Sequence, residues 1–148
     1  AIPPGSAFPR WLQPDGDLGA RIEAMFIAGL QQSRAVICSG ADSPGRHPDR
    51  LHEVIQALES GAEAVLGPTE DGGYDLVALS RCEAGLFAEL PWSQATTFES
   101  TKQRFEERGL RVHVLGLWWD VDECEDLERL KQLLSEDAAR APATARTL

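Results

Sequence analysis

The chain predicts an α/β domain, a mostly parallel sheet with helices packed on both faces. Three observations carry this. Short apolar runs at Ala35–Cys38, Ala64–Leu66, Tyr74–Leu79 and Val112–Leu117 have strand length. Amphipathic segments of helical period alternate with most of them. Carboxylates follow the ends of three of those runs, which is the edge where such sheets bind ligands.

In chain order, residues 1–16 are rich in Pro and Gly and read as coil. Asp17 suits the N-cap of a helix whose face is Leu18, Ile22, Met25, Phe26 and Leu30. Ala35–Cys38 reads as a strand buried on both faces. Pro48 fits the first turn of a second helix with the face Leu51, Val54, Ile55 and Leu58, closed by Gly61. Between the next two strands lies Gly67-Pro68-Thr69-Glu70-Asp71-Gly72-Gly73. A helical turn is expected around Leu86 and Phe87, then a Pro91-Trp92-Ser93 loop, then a helix over about Thr96–Arg108 stopped by Gly109. Val112–Leu117 alternates and runs into Trp118-Trp119. Asp122 and Glu125 form a variant capping box for the last helix, which carries Leu127, Leu130, Leu133 and Leu134. From about 137 to 148 an Ala, Thr and Pro-rich tail is expected to fray.

The chain has 148 residues, enough for one domain with a core, and residues 1–148 are read as a single domain. Its net charge of -10 argues against a nucleic-acid partner, though a few local donors or a metal could still hold a nucleotide. No apolar run is long enough to span a membrane. Three well-separated cysteines, Cys38, Cys82 and Cys124, give no disulfide or zinc pattern, so reduced thiols and a cytoplasmic location are expected. No His-x-x-x-His pair and no Gly-x-Ser-x-Gly elbow are present.

Chemistry concentrates at the strand ends. Taken alone, Glu70-Asp71-Gly72-Gly73 reads first as a tight acidic β-turn. Asp42, before Pro44, reads as a turn former or as a ligand for Mg²⁺ or Mn²⁺, hard cations that take one or two carboxylates together with substrate phosphates. Asp120 has no capping duty and faces the site, while Asp122 caps a helix and is a second candidate ligand. Trp92 and Ser93, in a loop beside this edge, are candidates for ligand contact.

The order Ser39-Gly40-Ala41-Asp42-Ser43-Pro44, Gly67-Pro68-Thr69-Glu70-Asp71-Gly72-Gly73-Tyr74, Pro91-Trp92-Ser93, Thr101 and Asp120-Val121-Asp122 resembles a bacterial family of glycosyltransferases. These are the radical-SAM and selenodomain-associated transferases of the nucleotide-diphospho-sugar transferase superfamily. The resemblance covers about residues 11–134. It implies a glycosyltransferase-A-like α/β/α sandwich and a nucleotide-sugar substrate with a small-molecule acceptor. It places Asp42 with Asp120 or Asp122 on the metal, and Ser39 and Gly40 at the nucleotide. Glu70 and Asp71 would line the sugar or acceptor pocket, with the Gly72 and Gly73 backbone permitting close approach; Asp71, opposite the metal carboxylates, is the candidate base. Members of that family open with a strand, a Gly-containing loop with a Lys-Thr-Arg-Leu signature and a second strand. This chain opens with Ala1-Ile2-Pro3-Pro4-Gly5-Ser6 and has no counterpart, so it is expected to be N-terminally incomplete. Two alternatives stay open at this point: a nucleotidyltransferase acting on a small phosphorylated acceptor, and a catalytically degenerate binding protein. Open sheet edges would also allow a homodimer.

Overall fold

The computed structural model describes residues 11–148. The elements in chain order are α1 (Leu18–Leu30), β1 (Val36–Ser39), α2 (Asp49–Glu59), β2 (Ala64–Pro68), β3 (Tyr74–Leu79), α3 (Thr97–Glu107), β4 (Val112–Val114), α4 (Cys124–Glu136) and α5 (Pro142–Ala145). The four strands form one sheet in the order β1-β3-β2-β4. β3 pairs antiparallel with both β1 and β2, and β2 pairs parallel with β4. Three strands therefore run the same way, and the reversed one lies inside the sheet. The Gly72-Gly73 turn is too short for a crossover, so β3 must return alongside β2.

Strand alternation builds both layers of core. Ala64 and Leu66 of β2, with Val77 and Leu79 of β3, face Phe26 of α1 and Phe105 of α3. Val65, Leu76 and Ala78 point the other way, onto Val54 and Ala57 of α2. This is the α/β/α sandwich that the sequence predicts. A third cluster joins Trp119 to Leu130 and Leu134 of α4.

Several local expectations need correction. β1 is an edge strand, so its residues are half-buried or exposed rather than covered on both faces. The inward face of α2 is Arg50, Val54 and Ala57, and Leu51 and Ile55 stay exposed. The Arg50 guanidinium is bound by Asp75 of β3, and this ion pair sets the rotation of the helix. Only Val112–Val114 forms a strand in the last apolar run, although Leu115 and Trp118 still donate backbone hydrogen bonds to Leu66 and Pro68. The capping box of α4 lies one residue later than predicted. Glu123 is the N-cap, and the Asp126 carboxylate accepts from the Glu123 and Asp122 amides at 2.9 and 3.2 Å. The tail carries the single turn α5, whose N-cap Ala141 and last residue Ala145 pack on the α4 cluster. Asp17 caps α1 as expected, accepting from the Ala20 amide at 2.8 Å.

Candidate active site

β1, β2 and β4 point their carboxyl ends to one edge, and the three acidic loops follow from there. They enclose a cleft of about 820 Å³. Of the residues singled out in the sequence, Ser39, Gly40, Asp42, Asp71, Gly73, Trp92, Ser93, Asp120 and Asp122 line it. Glu70 and Gly72 do not.

The two candidate metal carboxylates are joined through backbone and hydroxyl. The Val121 amide donates to the Asp42 carbonyl at 3.0 Å, which ties the loop after β1 to the one carrying Asp120. The Ser43 hydroxyl donates to Asp120 Oδ1. Asp120 is half-buried, and its pKa lies above the ordinary aspartate range. Burial is the largest cause, and the negative charges of Asp42, Asp75 and Asp71 add to it, while the Ser43 hydrogen bond opposes them. Asp122 is released from its predicted cap by Glu123 and Asp126, and it lines the cleft.

Asp71 is held by its own turn. Its Oδ1 accepts from the Thr69 hydroxyl at 2.6 Å and from the Gly73 amide at 2.9 Å. Asp71 itself is exposed, and its Oδ2 makes no hydrogen bond among the described residues. Glu70, its neighbour, points to α4. Its two oxygens take a forked pair from Arg129 at 2.9 and 3.2 Å, which holds its pKa below the ordinary value. Arg129 in turn lies 4.4 Å over the Trp119 ring. Gly72 is used for packing: at φ 86°, an added Cβ would collide with the Ala95 carbonyl.

One wall of the cleft is aromatic. Trp92 stacks on Phe87 and meets Tyr74 edge-on, each at 6.4 Å between centroids. Ser93 next to it holds φ 57°, a left-handed conformation that costs energy for a residue with a Cβ. The Tyr74 hydroxyl is buried without a hydrogen-bond partner among the described residues, and burial drives its pKa upward.

Among the described residues, no group of three or more His, Cys, Asp and Glu side chains is arranged to hold a metal. Two carboxylates that line one cleft from joined loops still suit a hard cation that takes its remaining oxygens from a bound diphosphate and water. Asp42 and Asp120 fit that description.

The sequence reading did not single out a buried ion cluster at the base of the cleft. Asp75 is bound by Arg50 and Arg46. A signal existed: Asp75 is a charge inside an otherwise apolar strand, and such a group requires a partner.

A family described as "Uncharacterized protein conserved in bacteria (DUF2064)" matches residues 4–94. The chain belongs to the DUF2064 family. The match takes in the Asp42 loop, the Asp71 turn, and Trp92 and Ser93, whereas Asp120 and Asp122 lie beyond it. Among solved structures, a "putative nucleotide-diphospho-sugar transferase" from Desulfovibrio desulfuricans G20 is similar at 28% identity and a TM-score of 0.79. The similarity covers 90% of the DUF2064 chain and 59% of the other protein. The fold is therefore that of the nucleotide-diphospho-sugar transferase superfamily. No curated protein matches the chain.

Proposed function

We propose that this chain forms the catalytic edge of a metal-dependent glycosyltransferase that uses a nucleotide-diphosphate sugar, of the radical-SAM and selenodomain-associated type. The observation that carries the proposal is the convergence of Asp42, Asp71 and Asp120 on one cleft at the strand carboxyl ends of this fold. Asp42 and Asp120 would hold Mg²⁺ or Mn²⁺, with Asp122 beside them. The cation would offset negative charge on the leaving diphosphate.

The chain's own residues supply the rest. Ser39 ends β1 and Gly40 follows it, and both line the part of the cleft where the nucleotide would lie. Trp92 gives the sugar or acceptor a flat apolar wall, and Ser93 places a hydroxyl beside it. Asp71, pinned through Oδ1, keeps Oδ2 to take a proton from an acceptor hydroxyl. Glu70 orients this turn by its tie to Arg129 and does not touch substrate.

The test is a Mn²⁺ titration read by electron paramagnetic resonance, followed by product analysis. Saturable Mn²⁺ binding that weakens at least about tenfold in Asp42→Asn and in Asp120→Asn supports the reading. Release of a nucleoside diphosphate from a panel of nucleotide-sugars identifies a sugar transferase. Release of pyrophosphate from a nucleoside triphosphate would identify a nucleotidyltransferase instead. Absence of Mn²⁺ binding in the wild-type chain, with or without nucleotide, overturns the metal-dependent reading.

A further inference from the structure

We infer that Asp75 is a positioning residue that sets the placement of the Asp42 loop against the Asp120 loop. The inference rests on the functional reading above for its meaning, but its geometry is independent of it.

Asp75 is the second residue of β3, and its side chain is fully buried. A carboxylate in such a place must have its oxygens satisfied. Arg50 binds it with a fork, Nη2 to Oδ1 at 3.0 Å and Nε to Oδ2 at 3.2 Å. Arg46 Nη1 donates to Oδ2 at 3.2 Å. Gly67 on the neighbouring strand leaves room for the pair, since a Cβ there would run into Asp75 Oδ1 and Arg50 Nη2. With three N–H groups on its two oxygens and no exposed surface, Asp75 is not available as a metal ligand or base, although it lies at the base of the cleft.

Each arginine then reaches a different loop. Arg46 Nη2 donates to the Gly40 carbonyl at 3.3 Å, two residues before Asp42. The Gly40 amide donates to the Asp75 carbonyl at 2.9 Å, so this loop is gripped from both sides. Arg50 Nη1 donates to the Gly116 carbonyl at 2.7 Å, and its guanidinium carbon lies 5.9 Å from the centre of the Trp118 ring. Gly116 and Trp118 belong to the segment that leads to Asp120. The two loops meet where the Val121 amide donates to the Asp42 carbonyl. One carboxylate thus orients two guanidinium groups, and their remaining N–H groups fix two loop carbonyls. Apolar residues of equal volume could fill the space, but they could not direct hydrogen bonds at chosen carbonyls.

The experiment compares wild type, Asp75→Asn and Arg46→Ala in the full chain. Amide hydrogen exchange at Val121 reads the junction of the loops, and exchange in β2 and β3 reads global stability. Mn²⁺ affinity reads the metal pair. Both variants should speed Val121 exchange roughly tenfold while β2 and β3 stay protected, and should weaken Mn²⁺ binding by a similar factor. If Asp75→Asn does not fold, Arg46→Ala decides alone, because Arg46 is the less buried of the two arginines, 16% exposed against 8% for Arg50. Unchanged Val121 exchange overturns the inference. So does acceleration spread equally through β2 and β3, which would mark a purely structural ion pair. Faster Val121 exchange with unchanged Mn²⁺ affinity also overturns it. A wild-type chain that binds no Mn²⁺ overturns the proposed function, and Val121 exchange then still decides whether Asp75 positions the loops.

Discussion

Gly72 and Asp120 show how much a single position can carry. Gly72 sits at φ 86° with the Ala95 carbonyl against it, so it has neither the backbone freedom nor the space for a side chain. Gly72→Ala should cost roughly 3 kcal/mol, measured by urea denaturation. Asp120 works through charge. Its pKa is raised in the folded chain, so its contribution to stability is fully present below the unfolded value and is lost as pH rises through the folded one. Asp120→Asn should therefore be more stable than wild type at neutral pH in metal-free buffer. The difference should vanish well below the ordinary aspartate range. Thermal melts of the two proteins across pH check this, and equal stability at neutral pH would remove the assigned cost of burying the charge beside Asp42, Asp75 and Asp71. Both positions stood out in the sequence as residue types, yet what each one does depends on a contact more than 20 residues away.

Elements were easier to read than their faces. The predicted bounds of α1, α3 and β3 lie close to those observed, because Asp17, Gly109 and the Gly72-Gly73 turn are local signals. The face of α2 was misread because a stripe of Leu and Ile gives no hint that Arg50 goes inside to meet Asp75. The cap of α4 was misread by one residue because Asp122-Glu123-Cys124-Glu125-Asp126 offers acidic groups in two registers. The structure selects Glu123 with Asp126, and that choice frees Asp122 for the cleft. Asp126→Ala should destabilise the chain by about 1 kcal/mol, since the Glu123 and Asp122 amides both lose their acceptor. Guanidinium denaturation measures the loss. Asp122→Ala should leave stability nearly unchanged in the same assay, because its side chain is not the cap.

The whole molecule carries a net charge of -10 and gathers several of its carboxylates around one cleft. Screening by any salt should relieve general self-repulsion. On the functional reading, Mg²⁺ should do more than NaCl at matched ionic strength. At about a hundredfold excess over its dissociation constant, a bound ion adds about 2.7 kcal/mol. That difference between the two salts, read as a shift in Tm, should disappear in the Asp42→Asn/Asp120→Asn double variant. Among the described residues no helix is long and apolar enough to cross a membrane. The sequence by itself determined the α/β alternation, the strand ends that carry Asp42, Asp71 and Asp120, and the family likeness of their order. All of these are local in the chain or linear along it. Only the tertiary structure decided that β3 runs backward inside the sheet, that Glu70 belongs to Arg129, and that Asp75 holds two arginines beneath the cleft. The physical reason is the same in each case. Pairing between strands and between opposite charges is chosen by residues distant in sequence, and around Asp75 burial also makes the choice costly to change.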